Sequence, residues 1–298
     1  MNPRFQFKRL GAILAAGALA LGLGLQSAQA ITVGGKNFTE QQLMAEITTQ
    51  LLVSKGIPAE KKAGLGSAVL RQAQENGQID VYWEYTGTSL ITYNKITDKL
   101  SADETYKRVK ELDAAKGLVW LNPSKANNTY ALAMRRADSE SKNIKTLSDL
   151  AKAVKGGANL SMASNAEFAA RPDGLKPLQE VYGFEFSRDN VRRMDSGLTY
   201  QALKEKQVDV SLVFATDGRV PAFDFVILRD DKTFFPAYAM TPVIRKQTMD
   251  ANPKIAPLLN ALSAKLDDAT MGRLNASVDV DKKTIEAVAT QFLKDAAL

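Results

Sequence analysis

Asp80-Val81-Tyr82-Trp83-Glu84-Tyr85-Thr86-Gly87-Thr88-Ser89-Leu90 sets a short aromatic run directly against a Gly-Thr turn. Crowding three rings and a carboxylate in one place is costly unless the rings face something specific. Ile79 to Trp83 reads as a strand, so the aromatic Gly-Thr segment lies beyond a strand end. Just before it, Gly64-Leu65-Gly66-Ser67 opens a helix carrying Val69, Leu70 and Ala73, which Gly77 ends. A strand reached through a helix belongs to an α/β sheet, and in open sheets of that kind ligands bind outside the carboxyl ends of the strands.

The same alternation extends in both directions. Upstream, Ile31-Thr32-Val33 leads through Gly34-Gly35 into a helix that Thr39 caps with Gln42 as its partner, with Leu43, Ile47 and Leu51 on one stripe and a stop at Gly56-Ile57-Pro58. Downstream, Ser101 and Glu104 form a second capping box ahead of a helix to about Ala115, and Leu118 to Leu121 reads as a strand. Tyr130 to Met134, Asn159 to Ala163, Asn190 to Met194 and Val208 to Phe214 follow as strands, with helices at Thr146 to Lys155, Leu175 to Tyr182 and Thr199 to Lys206 between them. Pro236 to Val243 brings the chain back, and helices near Ile255 to Leu266, Asp268 to Ala276 and Lys282 to Ala296 complete it. The expected architecture is α/β with largely parallel sheets and two lobes. The first lobe is discontinuous (31–129 and 239–298), the second spans 130–238, and two crossing strands act as a hinge.

Composition narrows the function. Residues 1–30 read as a cleaved secretory signal, with Arg4, Lys8 and Arg9 ahead of an apolar run from Leu10 to Leu25 and Ala28-Gln29-Ala30 as the cleavage site. That run is short for a bilayer crossing of about 30 Å, so a periplasmic protein is expected. The chain has no cysteine, which excludes a disulfide framework. It has no histidine either, which removes the usual general base and every Ser-His-Asp arrangement. Of the net charge of +6, three charges (Arg4, Lys8 and Arg9) belong to the leader, leaving +3 spread among acids. Nucleic-acid binding gains no support from this balance, and no cofactor or metal site is indicated.

Six segments, Gly35 to Gln41, Glu84 to Thr88, Asn127 to Arg135, Arg171 to Gly174, Thr216 to Gly218 and Asp230 to Tyr238, give the chain a resemblance to the substrate-binding proteins of ABC importers for quaternary-ammonium osmoprotectants. The resemblance spans residues 31 onward. It implies a two-lobed periplasmic-binding-protein fold of type II that closes over a betaine, carnitine or choline and passes it, as a monomer, to a membrane permease. It implies a cage of Tyr85, Tyr130 and Tyr238, with Phe214 where relatives often have another tyrosine. It also implies a carboxylate clamp of Lys36, Thr88 and Arg171, with Asn128 and Gln41 as weaker contacts. The chemistry agrees. A trimethylammonium group has no hydrogen to donate and is held best by several ring faces, and arginine grips a carboxylate through a bidentate fork. Asn128 lies where some relatives carry an acid near the cation, and losing that charge favours betaines over choline. Trp83 is expected behind the cage.

Two other readings remain open at this level. The same fold can bind another cation, such as an amino acid or polyamine, since rings attract ordinary ammonium groups too. A periplasmic hydrolase working through Glu84 and Asp217 is the other, although nothing in the sequence sets two acids at the separation that glycoside hydrolysis needs.

Overall fold

The computed structural model describes residues 30–298, so the expected leader lies, apart from Ala30, outside the described residues. The chain runs through β1 (Ile31–Lys36), α1 (Thr39–Ser54), β2 (Ala59–Leu65), α2 (Ser67–Glu75) and β3 (Val81–Tyr85), winds as a π-helical stretch at Thr88–Tyr93, and continues as α3 (Ala102–Ala114), β4 (Leu118–Trp120) and β5 (Tyr130–Arg135). Then come α4 (Arg136–Lys142), α5 (Leu147–Lys155), β6 (Met162–Ser164), α6 (Ala166–Ala170), α7 (Leu175–Tyr182), β7 (Val191–Arg193), α8 (Ser196–Lys204), β8 (Val210–Phe214), α9 (Arg219–Ala222) and β9 (Phe225–Ile227). β10 (Met240–Arg245), α10 (Lys246–Ala251), α11 (Ile255–Ser263), α12 (Asp268–Asp279) and α13 (Ile285–Asp295) follow. Among the described residues no helix is long and apolar enough to cross a membrane.

The strands form two five-stranded sheets, ordered β2-β1-β3-β10-β4 and β7-β6-β8-β5-β9. In the first, β1 is parallel to β2 and β3, while β10 runs antiparallel to β3 and β4. The second repeats the scheme, with β6 parallel to β7 and β8, and β5 antiparallel to β8 and β9. The reversed strand in each sheet is the one that arrives from the other sheet. A chain entering from the cleft, where its neighbours end, can only run against them. The sheets are therefore mixed, one strand short of the largely parallel expectation.

The two passages between the sheets lie side by side. Asn128 N–H donates to the Tyr238 carbonyl at 3.2 Å, Met240 N–H to that of Ala126 at 2.9 Å, and Tyr238 N–H to Asn127 Oδ1 at 2.7 Å. Gly87 lets them approach the end of β3, since a Cβ there would sit 2.7 Å from the Ala237 carbonyl oxygen and 2.9 Å from the Tyr238 ring. One apolar cluster runs continuously from Leu43, Met44, Ile47 and Leu51 of α1 through Tyr85, Tyr130 and Tyr238 to Leu132, Met162 and Leu212 of the second sheet.

Local expectations hold in part. The Ser101–Glu104 capping box is present. Thr39 instead opens α1 as its first residue, after Phe38, and its hydroxyl donates to Asp279 Oδ1 of α12 at 2.8 Å, so the expected cap is replaced by a contact between helices. β2 and β9 were not expected. β2 carries Glu60, Lys61 and Lys62 exposed at a sheet edge, where charge discourages further strand pairing and hides the apolar alternation that marks a strand.

Asp113 anchors the far side of the first sheet. It accepts two bonds from the Arg71 guanidinium (2.6 and 2.8 Å), and others from Ser89 Oγ (2.9 Å), Asn94 Nδ2 (3.1 Å) and Trp120 Nε1 (2.8 Å). Burial alone would raise its carboxyl, but the bonds and charge of Arg71 hold it below the usual value of 3.8. A depressed folded-state pKa binds fewer protons than the unfolded chain, so this stabilisation is present above pH 3.8 and is lost as pH falls through the folded value. Asp113→Asn should lower unfolding free energy at pH 7 by about 3 kcal/mol, because Arg71 loses its buried partner. Denaturant titrations at a series of acid pH values should then show a shallower decline than in the wild type.

Candidate functional site

At the cleft ends of the strands, Lys36, Phe38, Ser67, Tyr85, Thr88, Asn128, Tyr130, Glu167, Arg171, Phe214 and Tyr238 line one narrow hollow. Lys36 ends β1, Tyr85 ends β3 and Phe214 ends β8, while Tyr130 opens β5 and Tyr238 lies two residues ahead of β10. Sheet topology thus delivers residues far apart in the chain to one place. Eight of the nine expected residues share this lining.

The rings form a connected wall. Tyr130 lies 5.8 Å from Tyr238 edge-on, 5.3 Å from Phe214 and 5.1 Å from Phe168. Phe214 stacks on Phe38 at 5.1 Å with 11° between planes, and Phe38 on Tyr85 at 6.3 Å. Burial holds the phenols of Tyr85, Tyr130 and Tyr238 above the ordinary tyrosine range, so they remain neutral donors. Tyr85 donates to Glu40 Oε1 at 2.7 Å and Tyr238 to Asp173 Oδ2.

The expected clamp cations are both members of buried ion pairs. Lys36 Nζ lies 2.6 Å from Glu84 Oε1 and 5.0 Å from the centre of the Tyr85 ring. Arg171 holds Asp173 through Nε (2.7 Å) and Nη2 (2.6 Å), donates to Thr88 Oγ1 across the cleft at 3.3 Å, and stands 5.3 Å from the centre of the Tyr130 ring. Asn128 donates to Glu40 Oε1 at 2.8 Å. Gln41 is the expected residue outside the lining, since its side chain turns into the sheet and donates to the Trp83 carbonyl at 2.7 Å. Trp83 stands behind the wall, its Nε1 donating to Thr48 Oγ1 of α1.

Three lining residues fall outside the expected set. Phe38 sits inside the Gly35 to Gln41 segment, where an apolar residue just before a helix reads as packing rather than as a ring for a ligand. Glu167 and Ser67 meet across the cleft, with Oε1 accepting from Ser67 N–H at 3.1 Å and Oε2 from Ser67 Oγ at 3.2 Å. The helix start at Gly66-Ser67 has no cap of its own, and an acid from the opposite sheet supplies it. No local spacing announces such a pairing, because the partners are a hundred residues apart. The other acids considered from sequence are engaged: Glu84 by Lys36 and the Tyr82 hydroxyl, Asp217 by Arg219, Asp230 by Tyr182 and Phe235 N–H, and Asp231 by Ser148 N–H.

Because Glu167 caps α2 across the cleft, Glu167→Ala should accelerate amide exchange at Ser67 by about tenfold while global stability changes by roughly 1 kcal/mol. Hydrogen exchange that left Ser67 equally protected would exclude this cap.

Comparison with known proteins places these features in a family context. Residues 29–295 match the substrate-binding domain of ABC-type glycine betaine transport systems. The chain is 47% identical over 278 residues to a glycine-betaine-binding protein of Pseudomonas aeruginosa, covering 91% of this chain and 89% of that one. It is 34% identical over 284 residues to the glycine betaine-binding protein YehZ of Escherichia coli, covering 92% and 93%. Among solved structures, one of a glycine betaine/carnitine/choline ABC transporter aligns with a TM-score of 0.74 at 28% identity, over 90% of this chain and 98% of that one.

Proposed function

The chain belongs to the family of substrate-binding domains of ABC-type glycine betaine transport systems, and from that premise we propose that it is a periplasmic, non-enzymatic receptor that holds a betaine-type solute between its lobes and hands it to a membrane permease. The observation that carries this reading is the single hollow in which rings and two paired cations converge. Tyr85, Tyr130, Tyr238 and Phe214, joined by Phe38, present ring faces to the methylated nitrogen, each contact contributing about 0.5 to 2 kcal/mol. Lys36, Thr88 and Arg171 receive the solute's carboxylate, with Asn128 beside the cation. Lys36 and Arg171 meet that carboxylate as members of ion pairs with Glu84 and Asp173. Binding therefore redistributes hydrogen bonds within neutralised pairs, and the site does not present bare positive charge.

The lobes divide at the two passages, 31–129 with 239–298 against 130–238, and closure is a rotation about those paired segments. The leader at residues 1–30 delivers the protein to the periplasm, where it acts as a monomer. Neither rival reading gains from the geometry. Glu84 and Asp217 are locked by Lys36 and Arg219, which leaves a hydrolase without a free acid pair. An amine with N–H donors would need carboxylate acceptors in the wall, where Glu167, the one acid of the lining, already accepts from Ser67 N–H and Oγ.

Isothermal titration with glycine betaine, proline betaine, carnitine and choline should give heat for at least one betaine. Tyr130→Ala should weaken that binding by about thirtyfold, the equivalent of roughly 2 kcal/mol. Absence of heat with all four solutes would reject the reading.

A further inference from the structure

Five carboxylates are buried among the described residues: Glu40, Glu84, Asp113, Asp173 and Asp217. Four have a cationic partner, respectively Lys36 for Glu84, Arg71 for Asp113, Arg171 for Asp173 and Arg219 for Asp217. Glu40 has none. Its oxygens accept instead from four uncharged groups, Tyr85 Oη (2.7 Å) and Asn128 Nδ2 (2.8 Å) at Oε1, and Thr216 Oγ1 (2.6 Å) and Asn275 Nδ2 (3.0 Å) at Oε2. Taking an unpaired carboxylate out of water is costly, and neutral donors together with its place in the first turn of α1 offset only part of that cost. The usual outcome in such a site is either a counter-charge or neutralisation, and burial indeed raises the Glu40 carboxyl above its usual value.

The position of Glu40 identifies the missing counter-charge. Both donors on Oε1, Tyr85 and Asn128, line the hollow, so the carboxylate stands one hydrogen bond behind its wall. The other charged side chains at the hollow are accounted for: Lys36 and Arg171 are paired, and Glu167 is partly exposed and caps α2. From sequence, an amide at 128 meant a charge lost beside the cation; Glu40 restores that charge immediately behind the amide.

We propose that Glu40 is the counter-ion of the bound quaternary ammonium group, a positioning residue that never touches the solute but makes the wall of Tyr85 and Asn128 select for positive charge. The inference rests on reading the hollow as a quaternary-ammonium site. A phenol donating to a carboxylate is polarised toward its oxygen, which deepens the negative face of the Tyr85 ring, and Asn128 relays the charge in the same way. Because Thr216 of the second lobe and Asn275 of the first both bind Oε2, the charge is held in place from both sides of the cleft.

The test compares solutes that differ in charge at constant shape. Glycine betaine and tert-butylacetate share a carboxylate and a trimethyl head, but the latter carries carbon in place of the cationic nitrogen; choline keeps the cation and lacks the carboxylate. Glu40→Gln should weaken glycine betaine and choline at least tenfold by calorimetry, while tert-butylacetate, followed by ligand-observed NMR, changes less than threefold. Equal loss for all three solutes would show a merely structural role, and no loss for any would dismiss the counter-ion; either result overturns the proposal. If Glu40→Gln does not fold, Tyr85→Phe, which keeps the ring and cuts its link to Glu40, should weaken the two cations about threefold more than it weakens tert-butylacetate; an equal effect on all three would again overturn it. A wild-type protein that gives no heat with glycine betaine, proline betaine, carnitine or choline rejects the reading of the hollow itself, before any Glu40 variant is made, and the inference with it.

Discussion

The hydrogen bonds between Asn128 and Tyr238 and between Ala126 and Met240 lash together the two passages of chain that connect the sheets. Everything at the cleft is arranged around them. They oblige β5 and β10 to start at the cleft and run against their neighbours, and in doing so they bring Tyr130 and Tyr238 to within 5.8 Å of each other at the boundary between the lobes. Gly87 belongs to the same constraint, because the passage carrying Ala237 and Tyr238 packs where its Cβ would be. The aromatic hollow is thus a consequence of how the chain crosses, and its rings double as the joint of one continuous apolar cluster.

Electrostatics follows a single logic. Cations buried near the hollow are matched within the protein, as Lys36 by Glu84 and Arg171 by Asp173, and the same holds for Arg71 with Asp113 on the far side of the first sheet. Matching is necessary because an isolated buried charge is penalised by far more than any one contact returns. Against that background the hydrogen-bonded but unpaired Glu40 stands out as a group whose balance is completed from outside the chain. The cleft adds a second device of the same kind, in which the opposite lobe caps the start of α2 through Glu167.

How much of this was legible beforehand depends on the range of the interaction. Helices carrying a local signal were readable: α7 from Leu175 to Tyr182, the Ser101–Glu104 box at the start of α3, and the Leu43, Ile47, Leu51 stripe of α1. β2 was not, because an edge strand bearing Glu60, Lys61 and Lys62 shows no apolar alternation. At Thr39 local capping chemistry pointed to a box with Gln42, but Asp279, far along the chain, won its hydroxyl. Phe38 was hidden because an apolar residue ahead of a helix looks like packing until Phe214 is seen stacked on it. Gln41, in the same segment, turned the other way into the sheet.

By itself the sequence determined the alternation of strands and helices, the aromatic and charged residues available at strand ends, and the family to which they belong. These properties are carried by residue type and by spacings of a few positions. Tertiary structure alone decided which strand in each sheet runs backward, which cations are already neutralised, and that Glu167 and Phe38 line the hollow with Glu40 one hydrogen bond behind it. Those outcomes depend on partners separated by tens to hundreds of residues, whose meeting is set by the path of the backbone between two sheets and by the cost of leaving a buried charge or a helix end unsatisfied.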